Sequence, residues 1–150
     1  WVKKDGKWYY ADHNGKMVRN TWQGAYYLKE NGEMAKNEWI YDKNYSSWYY
    51  LAENGKMVTD LYQVYHSTYY FDGSGVMQTG WIKLGNNWHY FDKSGAMLRN
   101  TITPDGYYVD QEGIWRELPK VSTTTELITI EKTEALRETT VQTTTEEQVQ

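Results

Sequence analysis

The chain has 150 residues with 8 Trp, 15 Tyr, only 2 Phe and no Cys. This suits a single domain or a repeat array with a tail, and it excludes disulfides and thiolate metal sites. Residues 1–120 carry 14 basic and 14 acidic side chains. No basic face is therefore expected, and nucleic acid is not an expected partner. The sequence shows no signal peptide and no run of about 18 apolar residues, so no membrane insertion is expected.

Six β-hairpins are predicted in chain order, because one short pattern recurs six times. An aromatic pair is followed, five residues after its second member, by a glycine, and these glycines are 17 to 23 residues apart. The pairs are Tyr9-Tyr10, Tyr26-Tyr27, Tyr49-Tyr50, Tyr69-Tyr70, His89-Tyr90 and Tyr107-Tyr108. The predicted hairpins lie around residues 1–20, 21–37, 38–60, 61–79, 80–100 and 101–117.

Each repeat reads as an aromatic strand, a polar turn such as "DHNG", and a short strand through Met. The turn glycine supplies the positive φ that such a turn requires. All five Met stand two residues after a turn glycine, and Trp115 takes the sixth place. The residues interpreted as opening the later repeats are Trp22, Trp39, Tyr62, Trp81 and Ile102. Because an isolated hairpin is marginally stable in water, we expect an all-β solenoid of stacked hairpins.

The sequence has a second repeat period, which is twice as long as the period of the predicted hairpins. The residue before each aromatic pair alternates between Trp and a small residue: Trp8, Ala25, Trp48, Thr68, Trp88 and Gly106. The three Trp are 40 residues apart, and half of the repeats do without one. Packing alone does not require this alternation, which favours a series of binding sites.

Strand alternation separates the possible roles of the aromatic residues. In Trp48-Tyr49-Tyr50, the Trp and the second Tyr share a face, and the first Tyr takes the other. The first Tyr of each pair, the Met residues and His89 are therefore interpreted as core. The opening and internal Trp of an odd repeat, with a Tyr of the next repeat, would make a three-walled aromatic box.

Such a box suits two kinds of ligand. A quaternary ammonium is attracted to electron-rich ring faces and needs no hydrogen bond. A sugar stacks its C–H face on Trp, but sugar sites also use carboxylates or amides to hold hydroxyls. The Asp and Asn residues lie mostly in turns, where turn chemistry already explains them: Asp12, Asn14, Asn31, Asn54, Asp72 and Asp92.

The pattern W-x6-W-Y-Y-x4-G-x-M resembles the choline-binding repeats of streptococcal cell-surface proteins. It is seen in Trp1…Trp8-Tyr9-Tyr10…Gly15-Lys16-Met17 and recurs in residues 81–97. "NEWIYDKNYSSWYYL" and "TPDGYYVDQEGIW" resemble the repeat arrays of pneumococcal choline-binding proteins, including the cell-separation glucosaminidase type. The resemblance covers residues 1 to about 117.

The resemblance implies a left-handed superhelix of hairpins that binds phosphocholine on the teichoic and lipoteichoic acids of a Gram-positive cell wall. Choline, or phosphocholine, would be the ligand, with no cofactor. Each site would combine two Trp of one hairpin with a Tyr of the next, and a Met or its equivalent from the neighbouring hairpin would form a fourth wall. Carried over, the sites are Trp1, Trp8 and Tyr27; Trp39, Trp48 and Tyr70; and Trp81, Trp88 and Tyr108. Sites based on Trp22 or Tyr62 would be incomplete.

No catalytic or metal-binding constellation is apparent, because His13, His66 and His89 lack metal-ligand spacing. We therefore expect a non-enzymatic module of a secreted surface protein. The chain begins in mid-motif at Trp1, so further domains are expected before and after it. Residues 119–150, rich in Thr and Glu, are predicted to be an extended or disordered linker, with a short helix over about 126–138 as an alternative.

Two rival interpretations remain. Glucan-binding repeats also use aromatic hairpins, although they are richer in Phe and Tyr and poorer in Trp than this chain. A stalk without any ligand would use aromatic residues for stacking alone. The alternation at Trp8, Trp48 and Trp88 favours a binding module.

Overall fold

The structure is a computed structural model that describes residues 1–118 and Glu134, the latter in helical conformation. The expected linker, residues 119–150, lies outside the described residues apart from Glu134. The described strands are β1 (Val2–Lys4), β2 (Lys7–Tyr9), β3 (Thr21–Gln23), β4 (Tyr26–Leu28), β5 (Glu38–Asp42), β6 (Ser47–Leu51), β7 (Asp60–Val64), β8 (Ser67–Phe71), β9 (Gly80–Leu84), β10 (Asn87–Phe91), β11 (Thr101–Ile102), β12 (Tyr108–Val109) and β13 (Trp115–Arg116).

Successive strands pair into hairpins. β1 to β10 form five two-stranded antiparallel sheets, and β11, β12 and β13 form a sixth sheet of three strands. One compact unit spans Trp1–Trp115. The predicted all-β solenoid of six stacked hairpins is confirmed, since a two-stranded sheet has too little core of its own and must pack on its neighbours.

The internal layout of each hairpin differs from the prediction. The aromatic strand pairs mainly with the strand that precedes it, as in Trp39 opposite Tyr50. The expected partner, the segment through Met, makes only a single bridge, such as Leu51 to Met57. The segment after the polar turn stays bonded to its own hairpin, as where the Val58 amide donates to the Tyr50 carbonyl over 2.9 Å, and its Met amide in addition binds the preceding hairpin.

This inter-hairpin bond recurs through the array. The Met34 amide donates to the Trp8 carbonyl over 2.7 Å, and the Met77 amide donates to the Trp48 carbonyl over 2.9 Å. Each Met from Met34 onward is thereby placed beside the residue that precedes the aromatic pair of the hairpin before it. A repeat of this backbone bond sets the stacking of the solenoid.

The polar turns close with side-chain caps, as predicted. The Asp12 carboxylate accepts bonds from the Asn14 and Lys16 amides at 2.9 and 3.0 Å. The turn glycine Gly95 has a φ of +89°, and a Cβ there would lie 2.4 Å from the Met77 sulfur. Glycine is thus required at this turn both for its backbone conformation and for the approach of the preceding hairpin's Met.

The core is formed by the residue directly after each aromatic pair. From the second repeat onward these side chains are fully buried, at 0% exposure: Leu28, Leu51, Phe71, Phe91 and Val109. Both Phe of the chain belong to this set. The second Tyr of a pair packs on this core only partly; of these, Tyr50 is buried at 8% exposure.

The start of the fourth hairpin is shifted by one residue from the prediction. Leu61, not Tyr62, lies opposite Tyr70, so Leu61 takes the place that Trp39 and Trp81 occupy in their hairpins. A one-residue shift moves a side chain to the other face of the sheet. Tyr62 therefore packs beside Tyr50, at 5.6 Å between ring centroids.

His89 lies in the core, as its position on the strand predicts. It is 9% exposed, and its Nδ1 atom has no hydrogen-bond partner among the described residues. Burial lowers the pKa of His89 below its ordinary value, while the backbone of Gly113 partly opposes this effect. The side chain is therefore held neutral near pH 7.

Candidate functional site

Three aromatic clefts open along the array, one for each internal Trp. The N-terminal cage is lined by Trp1, Trp8, Tyr26 and Met34; the middle cage by Trp39, Trp48, Tyr69 and Met77; and the C-terminal cage by Trp81, Trp88, Tyr107 and Trp115. Their volumes are about 320, 410 and 390 Å³ respectively. The similar volumes and repeated residue types indicate one kind of site built three times.

Strand register explains why two Trp of one hairpin meet. Trp39 lies opposite Tyr50, and Trp48 lies opposite Tyr41, two residues further along both strands. A separation of two keeps both Trp on the same face. Their ring centroids are 6.3 Å apart with planes at 84°, so the two indoles form adjacent walls.

The third wall corrects the sequence prediction. Tyr27, Tyr70 and Tyr108, the expected members, do not line the cages; the first Tyr of each pair does so instead. Tyr26 lies 5.3 Å from Trp1, Tyr69 lies 4.8 Å from Trp39, and Tyr107 lies 5.9 Å from Trp81, between ring centroids. These three first Tyr are interpreted as core from the sequence; Tyr69 does pack against the buried cluster of Tyr50, Val58, Val64 and Phe71, and it also lines the middle cage.

The physical reason lies in how hairpins stack. Two stacked hairpins meet through opposite faces, so the internal Trp of one faces the residues of opposite strand parity in the next. In that next hairpin the second Tyr has the strand parity of the small residue before the aromatic pair (Ala25, Thr68 or Gly106) and turns away from that junction. Tyr27 contacts Trp22 of its own hairpin, Tyr70 contacts Phe91, and the Tyr108 hydroxyl donates to Asn100 over 3.1 Å.

The fourth wall comes from the Met position of the neighbouring hairpin. Met34 and Met77 are held there by their amide bonds to the carbonyls of Trp8 and Trp48. In the C-terminal cage the same place in the sequence is occupied by Trp115, so all four walls of that cage are aromatic. The sequence shows this substitution, since Trp115 stands two residues after Gly113, but sequence reasoning did not assign it to a site.

The mouths of the three cages differ in charge. The turn two hairpins downstream contributes Asn54 to the N-terminal cage, and Lys93 with Ser94 to the middle cage. The C-terminal cage is instead bordered by Asp105. None of these residues was predicted from sequence, because each contact joins different repeats.

Asp105 is fixed at the edge of the C-terminal cage by two hydrogen bonds. Its carboxylate accepts the Thr103 hydroxyl at 2.6 Å and the Trp81 indole N–H at 2.8 Å. These bonds, that of Thr103 first, hold the pKa of Asp105 below its ordinary value. The carboxylate is therefore ionised at neutral pH and orients one wall of the cage.

A fourth cleft lies over the second hairpin and lacks one wall. Trp22 stands 4.8 Å from Tyr49 between ring centroids, and Met57 donates its amide to the Ala25 carbonyl at 2.8 Å. Ala25 thus occupies the place of an internal Trp, and the cleft is wider, at about 590 Å³. The Trp22 indole donates to Asp42 over 2.7 Å. This matches the expectation that a site based on Trp22 is incomplete.

The cage walls suit a cation that offers no hydrogen bond. Ring faces attract positive charge, and the Lys3 ammonium already lies 5.6 Å from the centre of the Trp8 ring.

In the described residues no group of three or more metal-ligating side chains occurs. Residues 1–118 and Glu134 also include no helix with the length and hydropathy of a membrane span.

Comparison with known protein families shows which family this chain belongs to. Profiles described as choline-binding repeats match residues 58–101 and 16–46, and one described as a cell wall binding repeat matches residues 1–17 and 37–57. The choline-binding domain of Spr1274 in Streptococcus pneumoniae is 32% identical, with 55% of this chain and 96% of that chain covered and a TM-score of 0.50. The chain belongs to the choline-binding repeat family.

Longer members of the choline-binding repeat family match as well. Choline binding protein F from Streptococcus pneumoniae is 41% identical, with 78% of this chain and 40% of that chain covered and a TM-score of 0.66. The same protein in complex with ipratropium matches with a TM-score of 0.65 at 41% identity, over 78% of this chain and 38% of that one. This chain thus spans about two fifths of that relative. Among curated proteins, no significant sequence match is found.

Proposed function

We propose that this chain is a non-catalytic module that binds choline in three aromatic cages. The observation that supports this most directly is the recurrence of two Trp, one Tyr and a Met or Trp around clefts of about 320 to 410 Å³. Aromatic walls favour a quaternary ammonium over a hydrogen-bonding amine in water, because the quaternary ion gives up no hydrogen bonds on entry.

The partners follow from the ligand. We propose that the module recognises phosphocholine on teichoic and lipoteichoic acids and thereby holds a secreted protein on the bacterial cell surface. Residues 1–118 would form the binding array, and residues 119–150 would link it to another module. Any catalytic activity of the parent protein would then reside in a domain outside this chain.

Calorimetric titration with choline chloride tests the proposal. Saturable binding of choline at about three sites per chain is expected. Dextran should give no heat when its concentration in sugar units equals the choline concentration. Saturable dextran binding without choline binding would instead identify a glucan-binding module. If neither ligand binds, the interpretation as a stalk would be supported.

A further inference from the structure

The three cages have walls of similar residue types but differ in the charge at their mouths. This difference in charge matters for the group that is attached to the ammonium of the ligand. Choline in a polymer is carried by a negatively charged phosphate, whereas free choline ends in a neutral hydroxyl. The charge beside each cage therefore affects phosphocholine and choline differently. This inference rests on the proposed function.

The middle cage has a positive mouth. Lys93 lines it together with Ser94, and Lys93 makes no ion pair with any residue in the described part of the chain. The Ser94 hydroxyl donates to Asp92 at 2.5 Å, which fixes the turn that carries Lys93. The Lys93 ammonium is thus free to meet an anion that enters beside the cage.

The C-terminal cage has a negative mouth. Asp105 borders it, and its carboxylate is held in place by Thr103 and Trp81. A carboxylate there attracts the ammonium and repels a phosphate next to it. The N-terminal cage, with Asn54 at its mouth, has no charged side chain among its lining residues.

We propose that Lys93 makes the middle cage selective for phosphocholine over choline, and that Asp105 makes the C-terminal cage selective for choline over phosphocholine. Both residues act on the phosphate, not on the trimethylammonium group that the aromatic walls receive. The array would therefore divide its sites between phosphate-linked choline and other ammonium groups.

The test isolates one cage at a time in the full chain. Trp8→Ala with Trp88→Ala leaves the middle cage, and Trp8→Ala with Trp48→Ala leaves the C-terminal cage. Each double variant is titrated with choline, phosphocholine and glycerophosphocholine, whose diester phosphate represents a polymer linkage. The quantity compared is the ratio of dissociation constants for the phosphate-bearing ligand and choline.

In the middle-cage background, a preference for phosphocholine of about two- to fivefold is expected at low salt, as for an exposed ion pair. Lys93→Ala should abolish it, Lys93→Arg should keep it, and high salt should weaken it. Lys43→Ala, in the hairpin that carries Trp39 and Trp48 but outside the residues that line the cleft, is the matched control and should leave the ratio unchanged. A ratio unaffected by Lys93→Ala would overturn the role of Lys93.

In the C-terminal background the preference should be reversed, and Asp105→Asn should remove it. If Asp105 had a purely structural role, Asp105→Asn would weaken the binding of both ligands alike and leave the ratio of dissociation constants unchanged. That result would contradict the proposal. Failure of the proposed function is distinguishable, because then the unsubstituted chain would bind neither choline nor phosphocholine.

Discussion

At the scale of single residues, large apolar side chains on the same strand have opposite exposure. The internal Trp of the odd hairpins, Trp8, Trp48 and Trp88, are 40 to 44% exposed. The residues three positions later in the third and fifth hairpins, Leu51 and Phe91, are fully buried. Exposure of a large indole beside a cleft supports the proposal that these Trp bind ligand and contribute less to folding.

Trp48→Ala tests this division of roles. We expect loss of about one choline site in three, with a loss of stability of about 1 kcal/mol or less, because much of the indole is already in water. Calorimetric stoichiometry and thermal unfolding measure the two effects. Leu51→Ala, in the same strand, is the control and should cost about 2 to 5 kcal/mol of stability. Unfolding of the array by Trp48→Ala would show that Trp48 is core.

His89 predicts a pH dependence of stability. Its pKa is lowered in the folded chain, so the unfolded chain binds the proton more readily, and the free energy of unfolding should fall as pH drops below about 6.5. His89→Tyr should flatten this dependence between pH 7.5 and 5. Chemical denaturation at several pH values measures it. His13→Asn and His66→Asn, at exposed positions, should keep the wild-type slope; a wild-type slope in His89→Tyr would contradict the assignment.

At the scale of the hairpin, a site is the product of two stacked elements. One hairpin contributes two Trp, and the next contributes the first Tyr of its pair and its Met. The Met is placed by the bond from its amide to the carbonyl of the internal residue, whether that residue is Trp8, Ala25 or Trp48. Since the scaffold is the same at Ala25, only a side chain is missing there.

Ala25→Trp should therefore create a fourth cage. The cleft of about 590 Å³ already has Trp22, Tyr49 and Met57, so calorimetric stoichiometry with choline should rise by about one site. Thr68→Trp is the matched control in the fourth hairpin. It should add no site, because Leu61 stands where the opening Trp would be. An unchanged stoichiometry in Ala25→Trp would show that the stacked walls alone do not make a cage.

At the scale of the whole molecule, the three cages recur every two hairpins along one array, which suits a polymer that carries many choline groups. Linked sites raise the apparent affinity, since each later binding event is intramolecular. The array itself is nearly neutral, with 14 basic and 14 acidic residues in positions 1–120. Polymer binding should thus depend on the cages and not on net charge.

Binding to a choline-decorated polymer should exceed binding to free choline by about 10²- to 10⁴-fold. Surface plasmon resonance on the immobilised polymer, with free choline as competitor, measures the difference. Trp48→Ala should lower polymer affinity by far more than the one third expected from the loss of one independent site. Equal affinities for polymer and free choline would show that the cages do not engage one polymer together.

Local features of the site could be predicted from sequence. The repeat, the turn glycines, and the shared face of Trp39 and Trp48 all follow from spacing and strand alternation, which depend on neighbours along the chain. The start of the fourth hairpin could not be placed in this way. Leu61 and Tyr62 are both apolar and adjacent, and only pairing with β8 decides which of them faces the cleft.

The sequence by itself determined the hairpin array, the family and six of the seven Trp that line the cages, because periodicity is a local property of the chain. Only the tertiary structure decided which Tyr completes each cage, and that Trp115, Lys93 and Asp105 border two of them. These contacts join different hairpins, and they depend on which faces meet when the hairpins stack. Strand alternation within one hairpin carries no information about that choice.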